Sequence, residues 1–320
     1  MSRPSVVFIC PGQGAQSVGM GQNWMESHPA AAQTFAAADE VVSFDDGVLL
    51  SDICFSGPAE RLNRTDVSQP ALFASAVASY QGLLENWGGA EIEATAGLSL
   101  GEYTALHIAG AFGFRDGMRL VAIRGRLMQE AAEASDGGMI ALVGADEEQA
   151  EAVCNEARGD DVLVCANFNA PGQIVLSGSK SACARAEKSA QDMGLRSSVL
   201  TVAGAFHSPL MAPAAEGMAA ALSEIEFQPL NCTVWSNVTG KPHEENNPEL
   251  LKQRLVEQIT SPVRWSQGCA DLAEVIKQYG DTPEIHELAP GKVLKGLFRR
   301  IERSVEVVSH DQPETPQTST

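Results

Sequence analysis

A chain of 320 residues with 44% apolar content can bury a substantial core without a metal or a disulfide, as one large domain or two ordinary ones. Its formal charge of -19 argues against a nucleic-acid binder, because phosphate recognition needs clustered Lys and Arg. Seven cysteines scattered without a C-x-x-C pair argue against a disulfide framework or a zinc site, and read as small hydrophobes in a reducing compartment.

In chain order, residues 5–10 form a β-branched apolar run that stops at Pro11-Gly12, as a buried strand entering a loop should. No basic flank and long apolar core mark a signal peptide there. No stretch reaches the roughly 18 apolar residues of a membrane span, so the expected location is the cytoplasm, with no membrane partner. Ala-rich helical patterns follow at 30–42, 58–64 and 70–87. A second short strand-like run at 94–98 ends at Ser99, and a helical pattern resumes over 101–110. Strands alternating with helices predict an α/β fold with a mostly parallel sheet.

The middle of the chain has another rhythm. Strand-like 138–144, helical 146–157, strands at 162–168 and 173–178, a helix at 180–193 and a strand at 196–203 give the ferredoxin-like order β-α-β-β-α-β. The expected organisation is a discontinuous large catalytic domain (1–133 and 204–308) carrying a small ferredoxin-like subdomain (134–203). Residues 309–320 form a polar, Pro/Thr-rich tail expected to be disordered. No internal repeat is present. Near the C-terminus Lys292, Lys295, Arg299, Arg300 and Arg303 fall within twelve residues. They read equally as a docking patch for an acidic partner or as a solvated helix end.

Gly97-Leu98-Ser99-Leu100-Gly101 matches G-x-S-x-G, the nucleophile elbow, and lies between a predicted strand and a predicted helix as that motif requires. Flanking glycines permit the tight turn that pushes the hydroxyl outward, and the helix N-terminus puts the Leu100 amide where an oxyanion would form. The plainer alternative is a helix-capping serine between two turn glycines. A serine nucleophile needs a base. Of six histidines, His28 and His243 sit in loop-like contexts, His310 in the expected tail, and His107 on the far side of the elbow helix. His207, where the chain leaves the inserted segment, leads, and His286 is its rival. No H-E-x-x-H or cysteine spacing supports a metal, and Gly12-Gln13-Gly14 is neither a Rossmann fingerprint nor a Walker loop.

With these motifs in hand, the chain resembles the malonyl-CoA:acyl carrier protein transacylases, relatives of the acyltransferase domains of fatty-acid and polyketide synthases. The resemblance spans about residues 5–300 and rests on seven separated motifs in order. They are Pro11-Gly12-Gln13-Gly14-Ala15-Gln16, Ser68-Gln69-Pro70-Ala71-Leu72, Gly97 to Tyr103, Arg124-Gly125 with Met128-Gln129, residues 167–173, Ala205-Phe206-His207-Ser208, and Ser261-Pro262-Val263-Arg264-Trp265. It implies a large α/β-hydrolase-like domain with a ferredoxin-like insert. It assigns Ser99 as nucleophile, His207 as base, and the backbone amides of Gln13 and Leu100 as oxyanion hole. It gives Arg124 the free malonyl carboxylate, a task suited to a planar fork, although the residue on its own reads as a surface helix position. Gln258 would orient the histidine through its backbone carbonyl, and Gln69, Asn167 and Phe206 would join the substrate pocket.

Leu98 departs from the His that precedes the nucleophile in many relatives. Phe206 beside the base should crowd an α-methyl branch, which favours malonyl over methylmalonyl by a margin of about 1–3 kcal/mol. The implied reaction is ping-pong transfer of malonyl from malonyl-CoA to the phosphopantetheine of an acyl carrier protein, with no cofactor, supplying fatty-acid synthesis. A polyketide-pathway acyltransferase and an α/β-hydrolase-type thioesterase are the alternatives. A carrier-binding module without activity is the reading from another class.

Overall fold

The computed structural model describes residues 3–244, 247–278 and 283–313. In β1 (Ser5–Cys10), Val6, Phe8 and Cys10 enter one hydrophobic cluster while Val7 and Ile9 enter another. Successive strand side chains point to opposite faces, so a run apolar at every position must be covered on both. The chain then forms α1 (Gln22–Ser27), α2 (Pro29–Val41), α3 (Leu50–Ser56), α4 (Ala59–Leu62) and α5 (Thr65–Trp87) before β2 (Glu91–Gly97). Helices α6 (Gly101–Ile108) and α7 (Phe114–Glu133) follow.

The inserted segment comprises β3 (Gly137–Val143), α8 (Glu147–Arg158), β4 (Leu163–Ala170), β5 (Gln173–Ser179), α9 (Lys180–Asp192) and β6 (Arg196–Val199). The chain closes with α10 (Ala212–Ser223), β7 (Thr233–Val234), α11 (Pro248–Thr260), α12 (Trp265–Ile276), β8 (Glu284–Glu287), α13 (Val293–Ile301) and β9 (Val307–Ser309).

Two sheets result. The larger is five-stranded, ordered β7-β2-β1-β8-β9, and parallel throughout. Residues of α5, α6, α7, α10 and α11 fill the cluster on one face, and α12 and α13 supply the other. The smaller is antiparallel, ordered β4-β5-β3-β6, the ferredoxin-like arrangement that the sequence rhythm predicts. Ile140, Leu142, Leu163 and Leu176 pack it onto α8 and α9, whereas Met139, Ala166 and Val175 on its opposite face join the large cluster. Backbone bonds from Phe168 N–H to Val263 C=O (2.9 Å) and from Val263 N–H to Ala166 C=O (2.8 Å) tie β4 to the segment before α12. Among the described residues no helix is long and apolar enough to cross a membrane.

Three boundaries differ from expectation. Helix α5 starts five residues before Pro70, because the Gln129 side chain of α7 accepts the Thr65 N–H (3.0 Å), a cap that local sequence does not reveal. Strand β6 ends at Val199, Leu200 N–H still donates to Met139 C=O of β3 (2.9 Å), and residues 200–203 wall a cavity. The expected tail begins on ordered chain: β9 runs to Ser309, His310 is buried, and Asp311 accepts the Gly291 N–H (2.6 Å). Residues 314–320 lie outside the described residues.

Candidate functional site

Strand β2 ends at Gly97 and α6 begins at Gly101, with Ser99 between them at φ 52°. A Cβ on Gly97 would lie 1.9 Å from the Gly101 carbonyl carbon, and one on Gly101 would lie 2.1 Å from Cys10 O. The turn therefore closes only with glycine at both places, and the serine carries a left-handed backbone that L residues adopt at a cost. Asn237 clamps it from behind. Its Oδ1 accepts the Ser99 N–H (2.6 Å) and its Nδ2 donates to Gly97 C=O (2.7 Å).

His207 comes from the loop after β6, also at positive φ (55°). Its Nδ1 lies 2.8 Å from Gln258 C=O at the end of α11, and its Nε2 lies 2.8 Å from Ser99 Oγ. A carbonyl only accepts, so Nδ1 carries the hydrogen and Nε2 faces the hydroxyl as a bare lone pair. Burial, then the nearby Arg124 guanidinium, push the His207 pKa down to about 4 against the opposing pull of the Gln258 bond. The imidazole is neutral at physiological pH.

Arg124 projects from α7 and is 1% exposed. Its Nη1 donates to Gln69 Oε1 (2.8 Å), and its Nη2 donates to Gln258 Oε1 (2.9 Å) and Ser99 Oγ (3.1 Å). The Tyr103 ring centroid lies 5.4 Å from the guanidinium carbon. Burial lowers the Arg124 pKa from its usual value. Every hydrogen-bond partner of the guanidinium among the described residues is neutral, and Nε has no acceptor among them. Because Arg124 donates to Ser99 Oγ, the serine hydrogen is free to point at His207.

These groups open into a cavity of about 420 Å³. Gln13, Ser99, Arg124, Phe206 and His207 line one side, and Met139, Asn167, Asn169, Val175 and Leu200 from the smaller sheet and its exit line the other. It sits beyond the carboxyl ends of β1 and β2, where open α/β sheets place ligands. The Gln13 loop lies against the elbow because Gly12 has no Cβ, which would meet Leu98 O at 2.2 Å. The backbone amides of Gln13 and Leu100 donate to nothing among the described residues. Gln69 and Gln258 lie behind the cavity wall and hold Arg124.

The other histidines are elsewhere. His286 of β8 pairs with His310 just past β9 (2.8 Å), His107 bonds Phe112 C=O (3.0 Å), and His28 faces Asn86 (3.1 Å). His243 is buried, with Nε2 2.7 Å from Glu102 Oε1. Sequence reasoning missed Asn237, Glu102 and His243. Only Glu102 left a trace, as the lone carboxylate on the Gly101–Ile108 helix, which has no Lys or Arg to pair with it, so that a buried charge there must have distant partners.

Comparison with known proteins agrees with this architecture. The acyl transferase domain model matches residues 7–288. The malonyl CoA-acyl carrier protein transacylase of Haemophilus influenzae is 37% identical over 310 residues, covering 97% of this chain and 95% of the relative. The crystal structure of malonyl-CoA:acyl carrier protein transacylase from Xanthomonas oryzae superposes with TM-score 0.88 at 40% identity, over 98% of this chain and 96% of the other. A malonyl-transacylase in complex with its type II PKS acyl-carrier protein gives TM-score 0.88 at 36% identity, over 98% and 97%.

Proposed function

The chain belongs to the acyl transferase family, and from that membership we infer that it moves a malonyl group from malonyl-CoA to the phosphopantetheine thiol of an acyl carrier protein. The observation that carries the choice of malonyl is Arg124, a buried guanidinium facing the cavity whose hydrogen-bond partners among the described residues are all neutral. A buried charge is costly until paired, and a free acyl carboxylate completes it through charge-assisted hydrogen bonds.

The reading assigns Ser99 as nucleophile and His207 as base. Ser99 Oγ bonds to the thioester carbonyl carbon as its proton passes to His207 Nε2. The amides of Gln13 and Leu100 receive the oxyanion. Collapse breaks the C–S bond, His207 returns the proton to the departing thiolate, and malonyl-Ser99 remains. The carrier's thiol then gives its proton to His207, attacks the ester, and Ser99 Oγ leaves with the proton. Gln258 C=O stabilises the transient imidazolium at Nδ1 without being a charged acid. The recessed position of Ser99 in the cavity between the two sheets disfavours water at the ester.

The carrier is acidic in the reading we adopt, and α13 offers the basic face of an otherwise acidic protein. Lys292, Lys295, Arg299, Arg300 and Arg303 are all exposed, and Arg300 Nη1 reaches Gln173 Oε1 (3.4 Å) at the start of β5. Because α13 packs on β4, whose Asn167 and Asn169 line the cavity, this face flanks the rim. We propose it as the carrier dock. Supply of fatty-acid synthesis is the proposed pathway, and the cytoplasm the proposed location, in keeping with seven cysteines none of which forms a disulfide.

Intact mass after mixing with malonyl-CoA tests the scheme. Wild type should gain one malonyl group and lose it when phosphopantetheinylated carrier is added, while Ser99→Ala and Arg124→Ala should not load malonyl. Consumption of malonyl-CoA with no adduct and no carrier would instead indicate hydrolysis. Loading with fatty-acid and polyketide carriers in competition tests the pathway, which requires the former to be preferred.

A further inference from the structure

Behind the cavity lies a buried hydrogen-bond network whose only carboxylate among the described residues is Glu102, 1% exposed. Its Oε1 accepts from His243 Nε2 (2.7 Å), and its Oε2 accepts from the Asn237 backbone N–H (3.1 Å) and from Gln258 Nε2 (2.6 Å). The Gln258 side chain is fully buried and uses both ends of its amide. Nε2 donates to Glu102 and to Ser99 C=O (3.0 Å), and Oε1 accepts from Arg124 Nη2 (2.9 Å).

An amide can be turned over with little change in shape, but not here. A turned Gln258 would set its NH2 against a guanidinium, which only donates, and its oxygen against a carboxylate and a carbonyl, which only accept. Glu102 is therefore placed to fix which end of Gln258 meets Arg124. It also stands one residue away from the arginine: a carboxylate in direct contact would occupy the fork and compete with an acyl carboxylate.

We propose that Glu102, braced by His243, is a positioning residue for acyl selectivity, acting through the Gln258 side-chain amide on Arg124. This rests on the reading of Arg124 as the carboxylate clamp. It goes beyond that reading by separating two uses of Gln258: its backbone carbonyl serves His207, and its side chain serves the arginine.

The test compares single-turnover loading of Ser99 by malonyl-CoA and acetyl-CoA, which differ in the free carboxylate, in Glu102→Asp, Glu102→Gln and Arg124→Ala. Asp keeps the charge but is one methylene too short to reach Gln258. Gln loses the charge but keeps a carbonyl toward Gln258 and Asn237, turning its NH2 to His243, which accepts in its other tautomer. The expected result is a fall of about tenfold or more in the malonyl-to-acetyl ratio for Asp, with the Gln ratio within about threefold of wild type. The reverse pattern would make Glu102 a counter-charge and overturn amide positioning. Equal loss of both acyl groups in either variant would leave only a structural role. If Arg124→Ala keeps the wild-type ratio, the clamp reading itself fails and the inference falls with it.

Discussion

Among the described residues, Ser99 and His207 are the two non-glycine positions with positive φ, at 52° and 55°, and their side chains meet at 2.8 Å. Strain is thus concentrated on the pair that must react, held by Asn237 behind one and Gln258 beside the other. Ser99→Gly and Ser99→Ala should both abolish the malonyl adduct. The glycine variant should be the more stable by about 1 kcal/mol, because glycine accepts a left-handed backbone without a Cβ penalty. Calorimetric Tm values in the opposite order would mean that the turn is not strained at this position.

The lowered pKa of His207 predicts the pH profile of acyl loading. A base works when unprotonated, so kcat/KM for malonyl-CoA should be level from pH 8 to 5 and fall below that, with an inflection near the free-enzyme value of about 4. Burial is the larger cause and the Arg124 charge the second. In Arg124→Ala, followed with acetyl-CoA, the inflection should move upward toward the ordinary histidine range without reaching it. An inflection near 6.5 in wild type would place the titration on another group.

Much of this site could be read from the sequence, for identifiable reasons. The elbow is local: Gly97 and Gly101 are required by atoms within a few residues or on the adjoining strand, so a pentapeptide records the geometry. The ferredoxin-like rhythm is also local, since each short element declares its own period. Asn237 and Glu102 differ, because they act across 138 and 156 residues, on Ser99 and Gln258, and nothing near them in the chain reports the partner. Arg124 reads from the sequence as a surface helix position, and α7 buries it. A buried arginine and a surface arginine look alike until the cavity beside them is known. At the start of the expected tail, polar composition hides His310, whose burial depends on β8 and α1.

The basic face of α13 predicts a kinetic split. Lys295→Glu with Arg299→Glu should raise KM for the acyl carrier protein about tenfold at low ionic strength and leave malonyl loading from malonyl-CoA unchanged. The difference should shrink as salt rises, because exposed charges are screened over a Debye length of about 8 Å at physiological ionic strength. Steady-state transfer at two salt concentrations checks both statements, and unchanged carrier kinetics would remove α13 from the dock.

Acid stability should depend on two buried histidines, His286 on β8 and His310 just past β9. His286 Nδ1 and His310 Nε2 are 2.8 Å apart, and the His310 backbone is anchored by Glu287 C=O (2.8 Å) and by Trp24 Nε1 (3.1 Å). Burial lowers both pKa values to about 4, with the neighbouring His286 adding to the effect on His310. The unfolded chain, with ordinary histidines near 6.5, binds more protons between those limits, so stability should rise with pH across that window. It is fully present above about 6.5 and is lost as pH falls toward 4. His207 contributes in the same sense, whereas Glu287, whose pKa burial raises, works in the opposite one. Neither changes in His310→Gln, which can keep a hydrogen bond to His286 without titrating. The pH dependence of unfolding free energy between 6.5 and 4 should therefore be shallower in the variant by about one proton. Urea titrations at several pH values measure that slope, and parallel curves for the two proteins would show that the acid sensitivity lies elsewhere.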